Sequence, residues 1–234
     1  MKRPLLHRTA FYFNSLLLFL GFALTTGLAS AAATNVFEKD IVAFENQDRT
    51  NPPPRGTILF VGDSQFTRWK TIHEDLAGYN LINRGFGGSR MSDLILYTQR
   101  IVTPYHPRLI IVNEGGNDIH EGQTPEALLN NMKTFVAQVR KELPGVPIAF
   151  TGLAPSPARI SESDVRKRFN ELLKNYVSSE KNILYIDLFD SYLGLDGKPR
   201  EELFVADKLH HSAEGYKVRV KVMRPILGKP DRTN

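Results

Sequence analysis

The chain has 234 residues, 41% hydrophobic and 24% charged, an ordinary globular composition at a length that fits one domain. It contains no cysteine, which excludes disulfides and thiolate zinc sites. The formal charge of +5 sits largely at one end: residues 1–33 hold Lys2, Arg3 and Arg8 and no acid, so the remainder carries 27 Lys and Arg against 25 Asp and Glu. With that balance, and no basic stripe interleaved with aromatics, the composition gives no support to a nucleic-acid partner.

Residues 1–33 read as a secretory signal peptide. A positive n-region precedes a stretch, Phe11 to Leu28, that is apolar apart from Asn14, Ser15 and a Thr pair, and Ala29-Ser30-Ala31 supplies a small-x-small cleavage pattern. The alternative is an uncleaved anchor, but the apolar run falls short of the roughly 20 residues of a full span. The expectation is an exported protein, periplasmic or secreted, with no membrane association once the segment is cleaved.

Asn35 to Arg49 is predicted helical, with Phe37, Ile41, Val42 and Phe44 near a 3.6-residue period. Asn51-Pro52-Pro53-Pro54 ends it, since proline lacks the N–H and restrains the residue before it. Residues 34–56 therefore read as an N-terminal helix and a Pro-rich connection. Thr57 to Val61 is a continuous apolar run that suits a strand buried on both faces. Further strands are expected at Tyr79–Ile82, Leu109–Val112, Val146–Phe150 and Ile183–Ile186.

Between them lie helical patterns. Thr124-Pro125-Glu126 combines a cap, a first-turn proline and an acid at the positive dipole end, and Leu128, Met132, Phe135, Val136 and Val139 follow on one face. Val165, Phe169, Leu172, Leu173, Tyr176 and Val177 mark another helix. After Ser212 the alternation of Val218, Val220 and Val222 resembles a strand, but Met223, Ile226 and Leu227 resume helical spacing, so a helix is expected. Five short apolar strands separated by helices predict an α/β fold with a doubly wound parallel sheet, in which ligands bind at the carboxyl ends of the strands.

Candidate chemistry lies at those ends. Ser64 follows a glycine and the clearest strand, at the start of a helix, where its hydroxyl faces the crevice and its N–H can donate to an anion. A turn with Asp63 or Ser64 as helix cap explains the same residues, and the Gly-x-Ser-x-Gly elbow is absent. His210 stands three residues after Asp207, where an Asp can hold the imidazole tautomer while the other ring nitrogen takes the serine proton. Asn117, in Gly115-Gly116-Asn117-Asp118, can donate its amide to an oxyanion or simply form a turn. Gly85, Gly87 and Gly88 offer backbone donors or positive φ.

Taken together, Gly62-Asp63-Ser64, Asn83-Arg84-Gly85-Phe86-Gly87-Gly88-Ser89, Gly115-Gly116-Asn117-Asp118 and Asp207-Lys208-Leu209-His210 resemble the SGNH hydrolases, also called GDSL esterases/lipases. The likeness extends over nearly all of the chain after residue 33, with the hydrolase domain at 57–228 and a short tail at 229–234. It takes in the helix and Pro52-Pro53-Pro54 before the first strand, Trp69, Pro155-Ser156-Pro157-Ala158-Arg159 and Ser212-Ala213-Glu214-Gly215-Tyr216. It implies a flavodoxin-like three-layer αβα sandwich around a five-stranded parallel sheet. It implies Ser64 as nucleophile, His210 as base, Asp207 as its partner, and an oxyanion hole of the Ser64 N–H, the Gly88 N–H and the Asn117 amide. Gly88 is preferred over Gly87 because the family's donor glycine precedes a polar residue, here Ser89.

The resemblance implies ester hydrolysis without metal or organic cofactor, on a small-molecule or glycan ester. Short acyl or O-acetyl groups are favoured because no long apolar insertion is present to form an acyl tunnel. The rival readings are an acyltransferase using the same acyl-enzyme and a non-catalytic glycan-binding protein. Glu114, His211 and the missing Trp after Tyr216 depart from the family pattern. Arg84 and Arg159 are candidates for touching an anionic or sugar substrate, against structural or solvent-facing roles.

Overall fold

Strand β1 (Ile58–Gly62) is buried along its whole length because it is central. It pairs in parallel with β2 (Leu81–Gly85) on one side and β3 (Leu109–Asn113) on the other, with Ile58 opposite both Leu81 and Leu109. The sheet continues through β4 (Ile148–Thr151) to β5 (Ile183–Ile186), all parallel, in the order β2-β1-β3-β4-β5. The chain thus turns to one side of β1 and then to the other, which puts the switch point beside the carboxyl ends of β1 and β3. These features come from a computed structural model, which describes residues 36–231. The segment read as a signal peptide lies outside the described residues.

Strand residues alternate between two apolar layers, as the pleat requires. Leu59, Val61, Ile110, Val112, Ile148 and Phe150 face one core, which is closed by α1 (Glu38–Thr50), α4 (Met91–Ile101), α6 (Pro125–Glu142) and α7 (Ser163–Ser179). Ile58, Phe60, Ile111 and Ala149 face the other, against the short helices α2 (Ser64–Thr67) and α3 (Ile72–Asp75) and the C-terminal α8 (Ala213–Leu227). Each fully buried Leu, Ile or Phe contributes about 1.5–3 kcal/mol, so two such layers are the main stabilising force. This is the expected three-layer sandwich.

The predicted caps form. Thr124 Oγ1 accepts from the Ala127 N–H at 3.2 Å ahead of α6, and Ser212 Oγ accepts from Gly215 N–H at 3.2 Å ahead of α8. In α8 the buried positions are Gly215, Tyr216, Arg219, Val220, Met223 and Leu227, a helical stripe that overrides the valine alternation. Helix α1 is part of the same body: Ile41 is fully buried and Arg100 of α4 bonds Glu38 and Glu45. Among the described residues no helix is long and apolar enough to cross a membrane.

Candidate active site

β1 ends in Gly62 at φ +146°, where a Cβ would lie 2.0 Å from the Asn113 carbonyl oxygen, so only glycine lets β1 and β3 run this close at the switch point. The next residue, Asp63, donates its N–H to that same carbonyl at 3.0 Å. Its side chain caps α2 by accepting from the Gln65 N–H at 2.9 Å, which leaves Ser64 as the first helical residue. Helix α2 rests on the end of β2: a Cβ on Gly85 would meet the Thr67 nitrogen at 2.6 Å. Strand end, cap and glycine together fix the Ser64 hydroxyl.

That hydroxyl lies 2.8 Å from His210 Nε2. The other ring nitrogen, Nδ1, is 2.7 Å from Asp207 Oδ2. Asp207 Oδ1 accepts from the His210 and Leu209 N–H groups at 2.9 and 3.0 Å, so the carboxylate closes its own loop. Partial burial works against the charge on Asp207, but the bonds from the His210 backbone and ring and from Leu209 outweigh it and hold the carboxyl below the usual range. The loop is tied to α2 by Gln65 Nε2, which donates to the Leu209 carbonyl at 3.1 Å. Its neighbour His211 is not an alternative: it is buried and stacked 4.6 Å from Tyr192. Burial, with the Arg219 and His210 charges, pushes its pKa well down.

After β3, Gly115 at φ +104° opens the short helix α5 (Gly116–His120). Asn117 there donates from Nδ2 to the Ser89 carbonyl at 2.9 Å, which joins the loop after β3 to the loop after β2. Gly88 adopts φ +88°, as a turn glycine, and Gly87 comes close to Ser64, since a Cβ on it would lie 3.7 Å from the Ser64 Cβ. Among the described residues the N–H groups of Ser64, Gly87 and Gly88 have no protein acceptor.

Beneath Ser64 lies a buried polar scaffold that sequence reasoning missed. Asn113 Nδ2 donates to Asp63 Oδ1 at 2.9 Å, and its Oδ1 accepts from Thr151 Oγ1 at 2.9 Å and Arg219 Nη1 at 2.8 Å. Burial raises the pKa of Asp63, against the Gln65 N–H, Arg219 and Asn113, which favour its charge. The only signal for this scaffold in the sequence is a polar residue, Asn113, ending an otherwise apolar strand. Glu114 is fully buried, bonds the Ser89 hydroxyl, and has its pKa raised far above normal by burial and by Asp63.

A cleft opens beside these groups, lined by Ser64, Asn117, Leu153, Ser156, Arg159 and Leu209 among others. Of the two arginines singled out in the sequence, Arg159 reaches the cleft. Arg84 does not: it is buried between the Phe44 and Tyr105 rings, bonded to Asp48 and the Tyr105 hydroxyl.

A doubly wound sheet with serine, imidazole and carboxylate in line at its switch point defines an αβα hydrolase scaffold. The sequence profile of the GDSL-like Lipase/Acylhydrolase family matches residues 55–218, and the chain belongs to that family, an ester hydrolase. No curated protein matches it. Among solved structures it resembles a Streptococcus pneumonia protein provisionally named as a platelet activating factor, with TM-score 0.72 and 21% identity over 81% of this chain and 92% of that one. It also resembles a GDSL-like lipase from Bacteroides thetaiotaomicron, with TM-score 0.67 and 18% identity over 80% and 96%. A carbohydrate esterase family 3 protein from Talaromyces cellulolyticus follows, with TM-score 0.60 and 13% identity over 74% and 96%. At these identities the likeness is one of fold.

Proposed function

We propose that the protein hydrolyses carboxylic esters through an acyl-enzyme on Ser64. The observation that carries this is the relay from Ser64 Oγ through His210 to Asp207, with contacts of 2.8 and 2.7 Å. His210 Nε2 takes the hydroxyl proton as Oγ attacks the ester carbonyl. Asp207 holds the ring so that Nδ1 keeps its proton and Nε2 is the base. The tetrahedral oxyanion is stabilised by the Ser64 N–H, the Gly88 N–H and the Asn117 amide. As the intermediate collapses, the proton on Nε2 passes to the leaving alcohol. Water, deprotonated by the same nitrogen, then attacks the acyl-serine and releases the acid, which restores the Ser64 hydroxyl.

Short acyl groups, such as acetyl on a carbohydrate, fit best. The cleft is mixed, with Ser156, Arg159 and Asn117 set among Leu153, Phe204 and Leu209, and its polar groups suit a small polar ester. The Talaromyces neighbour is itself named a carbohydrate esterase. Export to the periplasm or the exterior, which the signal-like residues 1–33 suggest, would bring the enzyme to such polymers.

The test is turnover of 4-nitrophenyl acetate, butyrate and octanoate by the purified protein and by Ser64→Ala. Triad nucleophiles elsewhere lose on the order of 10⁶ in kcat on removal, so activity should fall to background. Undiminished hydrolysis by folded Ser64→Ala would end the assignment, and a preference for octanoate would refute the short-acyl reading.

A further inference from the structure

Arg159 sits on the connection between β4 and α7, where its backbone (φ −127°, ψ 33°) departs from the 3₁₀ turn of Pro157–Glu162 around it. Its guanidinium is half-buried. Nη1 donates to the Gly116 carbonyl at 2.8 Å, and Nη2 faces Asn117 Oδ1 at 3.4 Å, a long charge-assisted contact. Among the described residues it has no carboxylate partner. Glu162, one of the acids whose charge acts on it, is engaged by Arg166 at 2.7 Å and by His120 at 2.6 Å. Burial and the Arg166 charge push the Arg159 pKa down, so a cation is held here against an electrostatic cost.

What that cation does is visible at Asn117. A guanidinium only donates, so the amide oxygen must face Arg159. A carbonyl only accepts, so the amide nitrogen must face Ser89, where the bond is 2.9 Å. The two ends leave the amide one orientation. They also occupy one N–H and leave the second without a protein acceptor among the described residues. Positive charge on Oδ1 polarises the amide and makes that free N–H a better donor. The same segment touches the opposite side of the site, because the Ala158 N–H donates to the Lys208 carbonyl at 3.0 Å, inside the loop that carries Asp207 and His210.

We infer that Arg159 is the positioning residue of the oxyanion site: it fixes and polarises the Asn117 amide toward the charge that develops on the substrate carbonyl. This rests on the reading of Ser64 as nucleophile and Asn117 as oxyanion donor. A group that acts only on developing charge alters kcat and leaves KM nearly unchanged.

The experiment measures kcat, KM and melting temperature on 4-nitrophenyl acetate for Arg159→Ala and Arg159→Lys, each alone and combined with Asn117→Ala. Removing an oxyanion donor outright costs about 10²–10³ in kcat, so removing its support is expected to cost about 10–100-fold, with KM within about 3-fold. Arg159→Lys keeps the charge but cannot bridge both acceptors, and should lose less than Arg159→Ala. In the Asn117→Ala background the Arg159 substitutions should change kcat by less than about 3-fold, because contacting residues are not additive. Where Arg159→Ala melts, Arg159→Lys and Arg159→Gln carry the same comparison. Losses that multiply in the double variants, or a raised KM with unchanged kcat, would overturn the inference in favour of a direct substrate contact. Ser64→Ala separates the two levels: Ser64-dependent turnover indifferent to Arg159 sinks this inference alone, whereas full turnover by Ser64→Ala sinks the hydrolase reading beneath it.

Discussion

Asn113→Ala should be among the most destabilising single substitutions in the molecule, although Asn113 lies outside the proposed catalytic relay. The side chain makes three hydrogen bonds of 2.8–2.9 Å, to Asp63, Thr151 and Arg219. All three partners are almost completely buried, at 5%, 1% and 1% exposure, so each lost bond leaves a desolvated polar group. An unsatisfied buried group costs about 1–3 kcal/mol, and more when charged, which puts the sum near 4–8 kcal/mol. Asp63 keeps its bond from the Gln65 N–H, and Asn113 borders the cleft, so water entering from that side lowers the expected loss to about 3–6 kcal/mol. Domains of this size are stable by only about 5–15 kcal/mol, so the variant should be largely unfolded under mild denaturation. Urea titration followed by circular dichroism gives the number, with an unchanged m-value as the check that both proteins unfold from the same compact state. Thr151→Val, which removes one of the three bonds, should cost only about 1–2 kcal/mol. A loss below about 1 kcal/mol for Asn113→Ala at constant m would refute the view that this network supports the Ser64 turn.

Gly85→Ala would place a Cβ 2.6 Å from the Thr67 nitrogen and 2.7 Å from the Phe66 Cβ, so α2 must shift. Overpacking of this kind costs about 1–3 kcal/mol, and because Ser64 moves with α2, kcat/KM should fall by about 10²; wild-type kinetics and stability would discount the contact. Asp118 is the pH case: burial lifts its carboxyl from 3.8 to about 6, partly opposed by the Met91 N–H it accepts. A raised folded-state value means that the folded protein keeps a proton the unfolded chain has already lost, so this contribution is present below pH 4 and disappears as pH rises to about 6. The change is up to about 3 kcal/mol at 1.36 kcal/mol per unit. Asp118→Asn should therefore flatten the decline in urea midpoint between pH 4 and 7, with a residual slope from Asp63 and Glu114, which are shifted in the same direction. Parallel midpoint curves for wild type and variant would contradict the assignment.

The elements that could be read from the sequence are those whose cause is local. Thr57 to Val61 is legible because a strand covered on both faces needs an unbroken apolar run, and α6 because Thr124 and Pro125 form its first turn. Tyr79 misled by two residues: β2 begins at Leu81, and Tyr79 instead sends its hydroxyl to the Gly228 carbonyl at 3.0 Å. Helix α4 was not predicted, since the residue at its N-cap is Arg90 rather than Ser, Thr, Asp or Asn. Its first N–H, on Met91, is satisfied from a distance by the Asp118 carboxylate at 3.2 Å. The scaffold of Asp63, Asn113, Thr151 and Arg219 is hidden for the same reason, its hydrogen-bonded pairs being up to 106 residues apart.

The arrangement of the site follows from sheet order more than from any one motif. Because β1 lies between β2 and β3, the loops after those strands must flank Ser64, which puts the Gly87-Gly88 turn on one side and Asn117 on the other. Their meeting is recorded in the bond from Asn117 to the Ser89 carbonyl. His210 has no such neighbour in sequence. It arrives after β5, at the far edge of the sheet, on a long connection that must travel back to β1. Closing a long loop costs conformational entropy that grows only slowly with length, so a few good bonds hold it in place. Three serve here: Gln65 to Leu209, Ala158 to Lys208, and the Tyr216 hydroxyl to the Gln65 carbonyl at 3.0 Å. Two of the three involve Gln65, the residue after the nucleophile, so the helix turn that aims Ser64 also anchors the loop that delivers its base.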